Sequence, residues 1–266
     1  AFPVSSCYPL PAEKRFRQFN HSDFRCCAKM AVIHDVYRNM SKFDSIRVIS
    51  FDLDDTLWPT MRTISEAERQ LFLWLEQHAP ELVRQHSIES LRAQRRELAL
   101  ANPEIAHDMN RMRELHLREL FAGLGYDTAL AEAAVEHFQQ HRNRVFPYED
   151  VLPVLERLRE DFVLVSVTNG TTEVEKTPLA GFFDRSFNAV DAGRAKPHPA
   201  LFELVIDRTA SSPNEILHVG DDPVRDIAPA SDLGLVTAWI NRHGRVWPDS
   251  LEVADHEMET LDELPL

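Results

Sequence analysis

From residue 147 onward, short apolar runs suited to buried strands alternate with runs of helical character, and this alternation leaves the chain few architectures to choose from. Segments 151–160 (VLPVLERLRE), 174–182 (VEKTPLAGF), 199–210 (PALFELVIDRTA) and 226–234 (DIAPASDLG) read as helices. Segments 162–170 (FVLVSVTNG), 185–190 (RSFNAV), 215–222 (EILHVGDD) and 235–240 (LVTAWI) read as strands, two of them running into polar loops. An earlier run, 46–53 (IRVISFDL), is β-branched and apolar, as in a central strand buried on both faces. The expected fold is α/β: a doubly wound, mostly parallel, Rossmann-like sheet with helices on both faces. In such sheets ligands bind beyond the carboxyl ends of the strands, near the point where the strand order reverses. The clusters DLDDT, TNG and GDD each directly follow an apolar strand, where that rule wants them.

Between the first strand and this alternation lies a stretch of different character. From about 64 to 144 apolar residues recur at helical spacing, as in Ile64, Ala67, Leu71 and Leu75, and again in Leu117, Leu120, Phe121 and Leu124. Pro80 and Asn102-Pro103 interrupt the pattern, which predicts an insert of about four helices. The organisation expected is an N-terminal extension over 1–43, a Rossmann-like core from 44–60 and 146–266, and a helical domain over 61–145.

Residues 1–40 show no sustained period, and Met40 opens a run resembling a natural start, so this extension is expected to be dispensable. All three cysteines lie in it, at 7, 26 and 27, which leaves the rest of the chain without a disulfide framework or cysteine metal site. No uninterrupted apolar leader precedes the first strand, and a cytoplasmic location is expected. The formal charge of −14 argues against nucleic acid or an anionic membrane as partner. It also means that a site for an anionic substrate must bring in positive charge from a metal ion or a few placed cations.

Asp52 and Asp54 stand two apart where the first strand ends, so both carboxylates can enter one cleft. With a divalent metal, one can attack phosphorus while the other trades a proton; the plainer reading is an acidic turn capping the next helix through Asp55 or Thr56. Thr168, Asn169 and Gly170 end another strand, where a hydroxyl and backbone N–H groups can hold phosphoryl oxygens. Lys196 places a fixed charge just before a helix opened by Pro199. Asp221, Asp222 and Asp226 can complete an oxygen-rich site of the kind magnesium requires.

Strand-DxDxT, strand-Thr, Lys-Pro and strand-GDD, in this order over about 46–241, resemble the four motifs of the haloacid dehalogenase superfamily. The resemblance implies a phosphatase in which Asp52 is a nucleophile that becomes phosphorylated and Asp54 is the acid and base. It implies phosphoryl contacts from Thr168 and Lys196, and Mg²⁺ on Asp52, the backbone carbonyl of Asp54, and Asp221, with Asp222 or Asp226 assisting. The insert resembles a C1-type cap that closes over the site and reads the leaving group. FDLDDTLW, PEIAHDMNRMR and EILHVGDDPVRDI are similar to a subgroup acting on flavin mononucleotide and on the phosphorylated ribitylaminouracil intermediate of riboflavin synthesis. Substrate contacts are accordingly expected from Asn169, Gly170, Thr56, Arg111 and His107, with Asp108 and Arg113 as neighbours on the same helix. The opposing reading is a solvated helix face bearing charge pairs. Trp58 is expected to pack rather than stack on a substrate. A small phosphorylated metabolite is the partner implied, and the protein is expected to be a monomer or homodimer. A phosphomutase needs the same residues; a dehalogenase lacks a second catalytic aspartate at the position of Asp54, so the sequence argues against that rival.

Overall fold

The computed structural model describes Lys42–Leu266, which form one unit. Strands β1 (Val48–Phe51), β2 (Val163–Thr168), β3 (Arg185–Asn188), β4 (Ile216–Gly220), β5 (Val236–Ile240) and β6 (His256–Met258) make one sheet in the order β3-β2-β1-β4-β5-β6. Every neighbouring pair is parallel. The chain steps outward from β1 to β3, crosses back to β4 beside β1, and steps outward again. The order therefore reverses between β1 and β4, and Asp52 and Asp221 stand just past their carboxyl ends.

Alternation along the strands explains their continuous apolar runs. Val48, Val165, Val167 and Ile216 face one side, against Leu201, Phe202 and Val205. Ile49, Phe51, Leu164, Leu217 and Val219 face the other, against Val151, Val154, Leu155 and Leu158. With both faces covered, each large apolar side chain so buried contributes roughly 1.5–3 kcal/mol relative to exposure.

Between β1 and β2 run helices α1 (Thr60–His78), α2 (Pro80–Gln85), α3 (Ile88–Ala101), α4 (Met109–Gly123), α5 (Leu130–Arg142) and α6 (Val151–Leu158). Helices α1–α5 have a separate apolar cluster, including Ala67, Leu71, Leu75, Leu91, Leu117, Phe121, Ala134 and Phe138. The insert thus holds five helices rather than four: Pro80 opens a short extra one, as proline at a first helical position does. Ser87 caps α3 through a reciprocal pair with Ser90, and Asp108 caps α4 by accepting from Arg111 N at 2.8 Å. After β3 follow α7 (Ala189–Ala192), α8 (Ala200–Thr209) and α9 (Ala228–Asp232).

Two local expectations change, and one strand was not expected. Segment 174–182 is a 3₁₀ turn at Val174–Lys176 rather than a helix. The Thr177 hydroxyl donates to Val174 O at 2.7 Å and accepts from Leu179 N at 3.1 Å, so a side chain occupies groups a helix would use. Strand β6 has only three residues, too few to show a period. The extension expected over 1–43 lies outside the described residues except for its end, and that end is part of the core unit. Phe43 packs against the main apolar cluster and Lys42 pairs with Asp255 at 2.5 Å.

Candidate active site

The loop leaving β1 sets the site. Asp52 N donates to Val219 O at 2.8 Å, which carries the β1–β4 pairing one residue beyond the strand and holds Asp52 at the switch point. Three residues on, Asp55 takes a left-handed φ of 62°, which aspartate tolerates better than most residues. Its side chain accepts from Thr60 N at 2.8 Å, ahead of α1. The acidic turn and the reactive pair are thus different residues of one motif.

Asp52 is 6% exposed. Its Oδ1 accepts from Lys196 Nζ at 2.6 Å and its Oδ2 from the Thr56 hydroxyl at 3.2 Å. Lys196 Nζ also donates to Asp226 Oδ1 at 2.6 Å and Val167 O at 2.9 Å, so all three ammonium donors are used. Burial works against the charge on Lys196, but Asp226 and Asp52 outweigh it and raise its pKa. Burial also pushes Asp52 well above the usual carboxylate range, against the pull of Lys196. On Asp226 burial pushes the same way, but Lys196 and His218 outweigh it and hold the group below that range. His218 lies behind it, fully buried, with Ser50 Oγ 2.9 Å from Nδ1 and Asp226 Oδ1 3.7 Å from Nε2.

Asp52, Asp221 and Asp226 bring carboxylate oxygens within 4.8 Å of one another. Burial, then repulsion from Asp226, raises Asp221 to about 7 despite its bond from Arg245 Nη2 at 2.8 Å. Lys196 and the partly exposed Arg245 together still leave three such carboxylates short of positive charge. A hard divalent cation fits this all-oxygen donor set, and charge compensation by it would reverse the rise at Asp52 and Asp221. Asp222 is not in the group: it accepts from Val224 N and Arg225 N, both at 2.9 Å, and caps the following turn. Of the two residues weighed from the sequence, Asp226 is the one that joins the cluster.

The Asp54 carboxylate is not in the group either, which leaves only its backbone carbonyl, the atom assigned from the resemblance, for a metal. Its Oδ1 accepts from Trp58 Nε1 at 2.9 Å, and Arg142 Nη2 lies 2.6 and 2.5 Å from its two oxygens. Trp58 is fully buried, as packing predicts, and gives its indole N–H to Asp54. Thr168 and Gly170 adjoin this pair: Gly170 N donates to Thr168 Oγ1 at 2.9 Å. A Cβ on Gly170 would stand 2.6 Å from Asp54 Oδ2.

Other residues expected to contact substrate do not meet there. Asn169 clamps the backbone of Lys196 instead, donating to its carbonyl at 2.9 Å and accepting from its N–H at 2.7 Å. Arg111 is exposed, and its guanidinium pairs with Glu114 at 3.2 Å, the solvated-face reading. His107 is half-buried in the turn before α4 and makes no hydrogen bond to the Asp52 cluster. Arg113 is buried, with its guanidinium 3.4 Å from the Phe138 ring centroid. Arg142 was not anticipated: it lies 88 positions from Asp54, and nothing in QQHRNRVF marks it out from its neighbours.

Residues 46–234 match the family described as haloacid dehalogenase-like hydrolases. The chain is 33% identical over 199 residues, 73% of its length and 83% of the relative's, to the 5-amino-6-(5-phospho-D-ribitylamino)uracil phosphatase YigB of Escherichia coli. It is 32% identical over 204 residues, 74% of its length and 84% of the relative's, to glyceraldehyde 3-phosphate phosphatase of Methanopyrus kandleri. Among solved structures, a 2-haloacid dehalogenase from Pseudomonas syringae superposes with a TM-score of 0.78 at 35% identity, covering 83% of this chain and 96% of that one. The chain belongs to the haloacid dehalogenase-like hydrolases. Among the described residues, no helix is long and apolar enough to cross a membrane.

Proposed function

We propose that this protein is a magnesium-dependent phosphomonoester hydrolase working through an aspartyl-phosphate on Asp52. One observation carries the reading: the Asp52 carboxylate is buried against Lys196 and Thr56, next to an acidic group suited to a cation, with Asp54 two residues on. Asp52, Asp221 and Asp226, with the backbone carbonyl of Asp54, would hold Mg²⁺, which when bound supplies positive charge beside Asp52 and the phosphoryl oxygens. An Asp52 carboxylate oxygen attacks phosphorus in line, the bond to the ester oxygen breaks, and Asp54 gives the leaving alkoxide a proton. Asp54 then takes a proton from water as the water oxygen attacks phosphorus, which frees inorganic phosphate and restores Asp52. Lys196 steadies Asp52 and meets charge on the phosphoryl group, while Thr168 and the N–H groups near Gly170 bind its oxygens.

Helices α1–α5 act in this reading as a cap over the site. The relative named for the phosphorylated ribitylaminouracil makes that compound the first substrate to test, with flavin mononucleotide beside it. The relative named glyceraldehyde 3-phosphate phosphatase supports the broader class of small phosphorylated metabolites. A second reading, dehalogenation, has the Pseudomonas syringae structure in its favour and Asp54 against it. Phosphate release from a panel of phosphorylated metabolites, with Mg²⁺ and with chelator, tests the proposal, alongside halide release from 2-haloacids. Mg²⁺-dependent phosphate release is expected; halide release with no phosphatase activity would overturn the reading.

A further inference from the structure

Arg142 ends α5, the last helix of the insert, and its side chain is 3% exposed. One of its terminal nitrogens, Nη2, is taken by both oxygens of Asp54. The other, Nη1, is buried and has no hydrogen-bond partner. A buried donor left unmade is costly, and a guanidinium is built to present two parallel donors to one anion. A Cβ on Gly170 would lie 3.2 Å from both Arg142 Nη2 and Thr168 Oγ1. The guanidinium, the Thr168 hydroxyl, the Gly170 backbone and Asp54 therefore converge on one spot. A role confined to holding Asp54 is already filled by Nη2 and by Trp58, and it leaves Nη1 unexplained.

We propose that Arg142 is a phosphoryl-binding residue that exchanges its bond to Asp54 for oxygens of the incoming phosphomonoester. The inference rests on the phosphatase reading above and extends it to a residue of the insert. While Arg142 holds both oxygens of Asp54, that carboxylate is not free to address a leaving group. An arriving phosphoryl group offers several acceptor oxygens, enough for Nη1 and Nη2 together. Arg142 turns to it, and Asp54 stays in place through its bond from Trp58 Nε1. Substrate binding then both fills the empty donor and frees the acid/base group. It also fastens the end of α5 to the ligand.

Inorganic phosphate is the probe, read two ways in Mg²⁺ buffer: its inhibition constant against a nitrophenyl phosphate, and the rise in thermal midpoint it gives to the protein alone. Arg142→Met is expected to weaken phosphate by about ten- to a hundredfold, as loss of hydrogen bonds between charged groups does. Arg142→Lys, which keeps the charge but not the fork, should fall between Arg142→Met and the unaltered protein in both readouts. If Arg142→Met does not fold, Arg142→Gln is measured in its place with the same expectation. Phosphate binding within about twofold of the unaltered protein, with turnover slowed, would reduce Arg142 to a positioning residue for Asp54 and overturn the proposal. Failure of the unaltered protein to hydrolyse any phosphomonoester or bind phosphate would instead overturn the phosphatase reading, and this inference with it.

Discussion

Gly220 and Asp226 approach so closely that a Cβ on the glycine would stand 2.5 Å from the Cβ of the aspartate. The last residue of β4 is the wall against which Asp226 is set, facing Lys196 and the other two carboxylates. Gly220→Ala must push Asp226 away. We expect a loss of about 1–3 kcal/mol in stability, the usual cost of overpacking, together with weaker Mg²⁺ binding. Urea unfolding and a Mg²⁺ titration of activity check this. Unchanged values in both would mean that the close approach sets nothing.

Asn169 touches the backbone of Lys196 on both sides of its α-carbon, and that predicts a kinetic signature. Asn169→Ala should lower kcat by about tenfold or more while leaving KM nearly unchanged, because the lost contacts orient Lys196 rather than bind substrate. Steady-state kinetics separates the two cases. A raised KM at constant kcat would restore the direct substrate contact expected from the sequence.

Asp221 links the cation to pH. Its pKa is raised from the ordinary 3.8 to about 7, by burial and then by Asp226. Between those values the metal-free folded protein keeps a proton that the unfolded chain has lost, so this group's contribution to stability falls as pH rises through the window. A cation needs the ionised form and displaces that proton. Mg²⁺ should therefore raise the thermal midpoint more at about pH 8 than at about pH 6. Equal shifts at the two pH values would contradict this.

The strand–helix alternation and the polar clusters after the strands revealed the doubly wound sheet, because both signals are local in sequence. Asp52, Thr56, Thr168, Lys196 and Asp221 were legible for the same reason: each sits in a short motif next to an apolar strand. Arg142 was not, since its partner Asp54 is brought to it only by the packing of the insert on the core. Asn169 shows its bonds to the Lys196 backbone only in the structure, because a turn asparagine beside a threonine looks alike whether it faces a ligand or a neighbouring loop. Arg111 lies on a helix whose charged face pairs within itself, which the i,i+3 spacing of Arg111 and Glu114 already allowed, and His107 lies in the turn before that helix.

Asp54 should show its role through the leaving group. Asp54→Asn removes the proton donor, so phosphorylation by an alkyl phosphate should slow by about 10²–10⁴-fold, the range for general acid catalysis. A nitrophenyl phosphate, whose leaving group needs little protonation, should lose less. Single-turnover rates with the two substrates are the check, and equal losses would remove Asp54 from the acid role.

The central claim is covalent chemistry at Asp52, and trapping the intermediate tests it most directly. Acid quenching during turnover of a good substrate with Mg²⁺, followed by peptide mass analysis, should find one phosphoryl group on the peptide containing Asp52. The acyl phosphate should be labile to hydroxylamine, and Asp52→Asn should carry none. Phosphatase turnover with the phosphoryl group on another residue, or undiminished turnover by Asp52→Asn, would contradict the account.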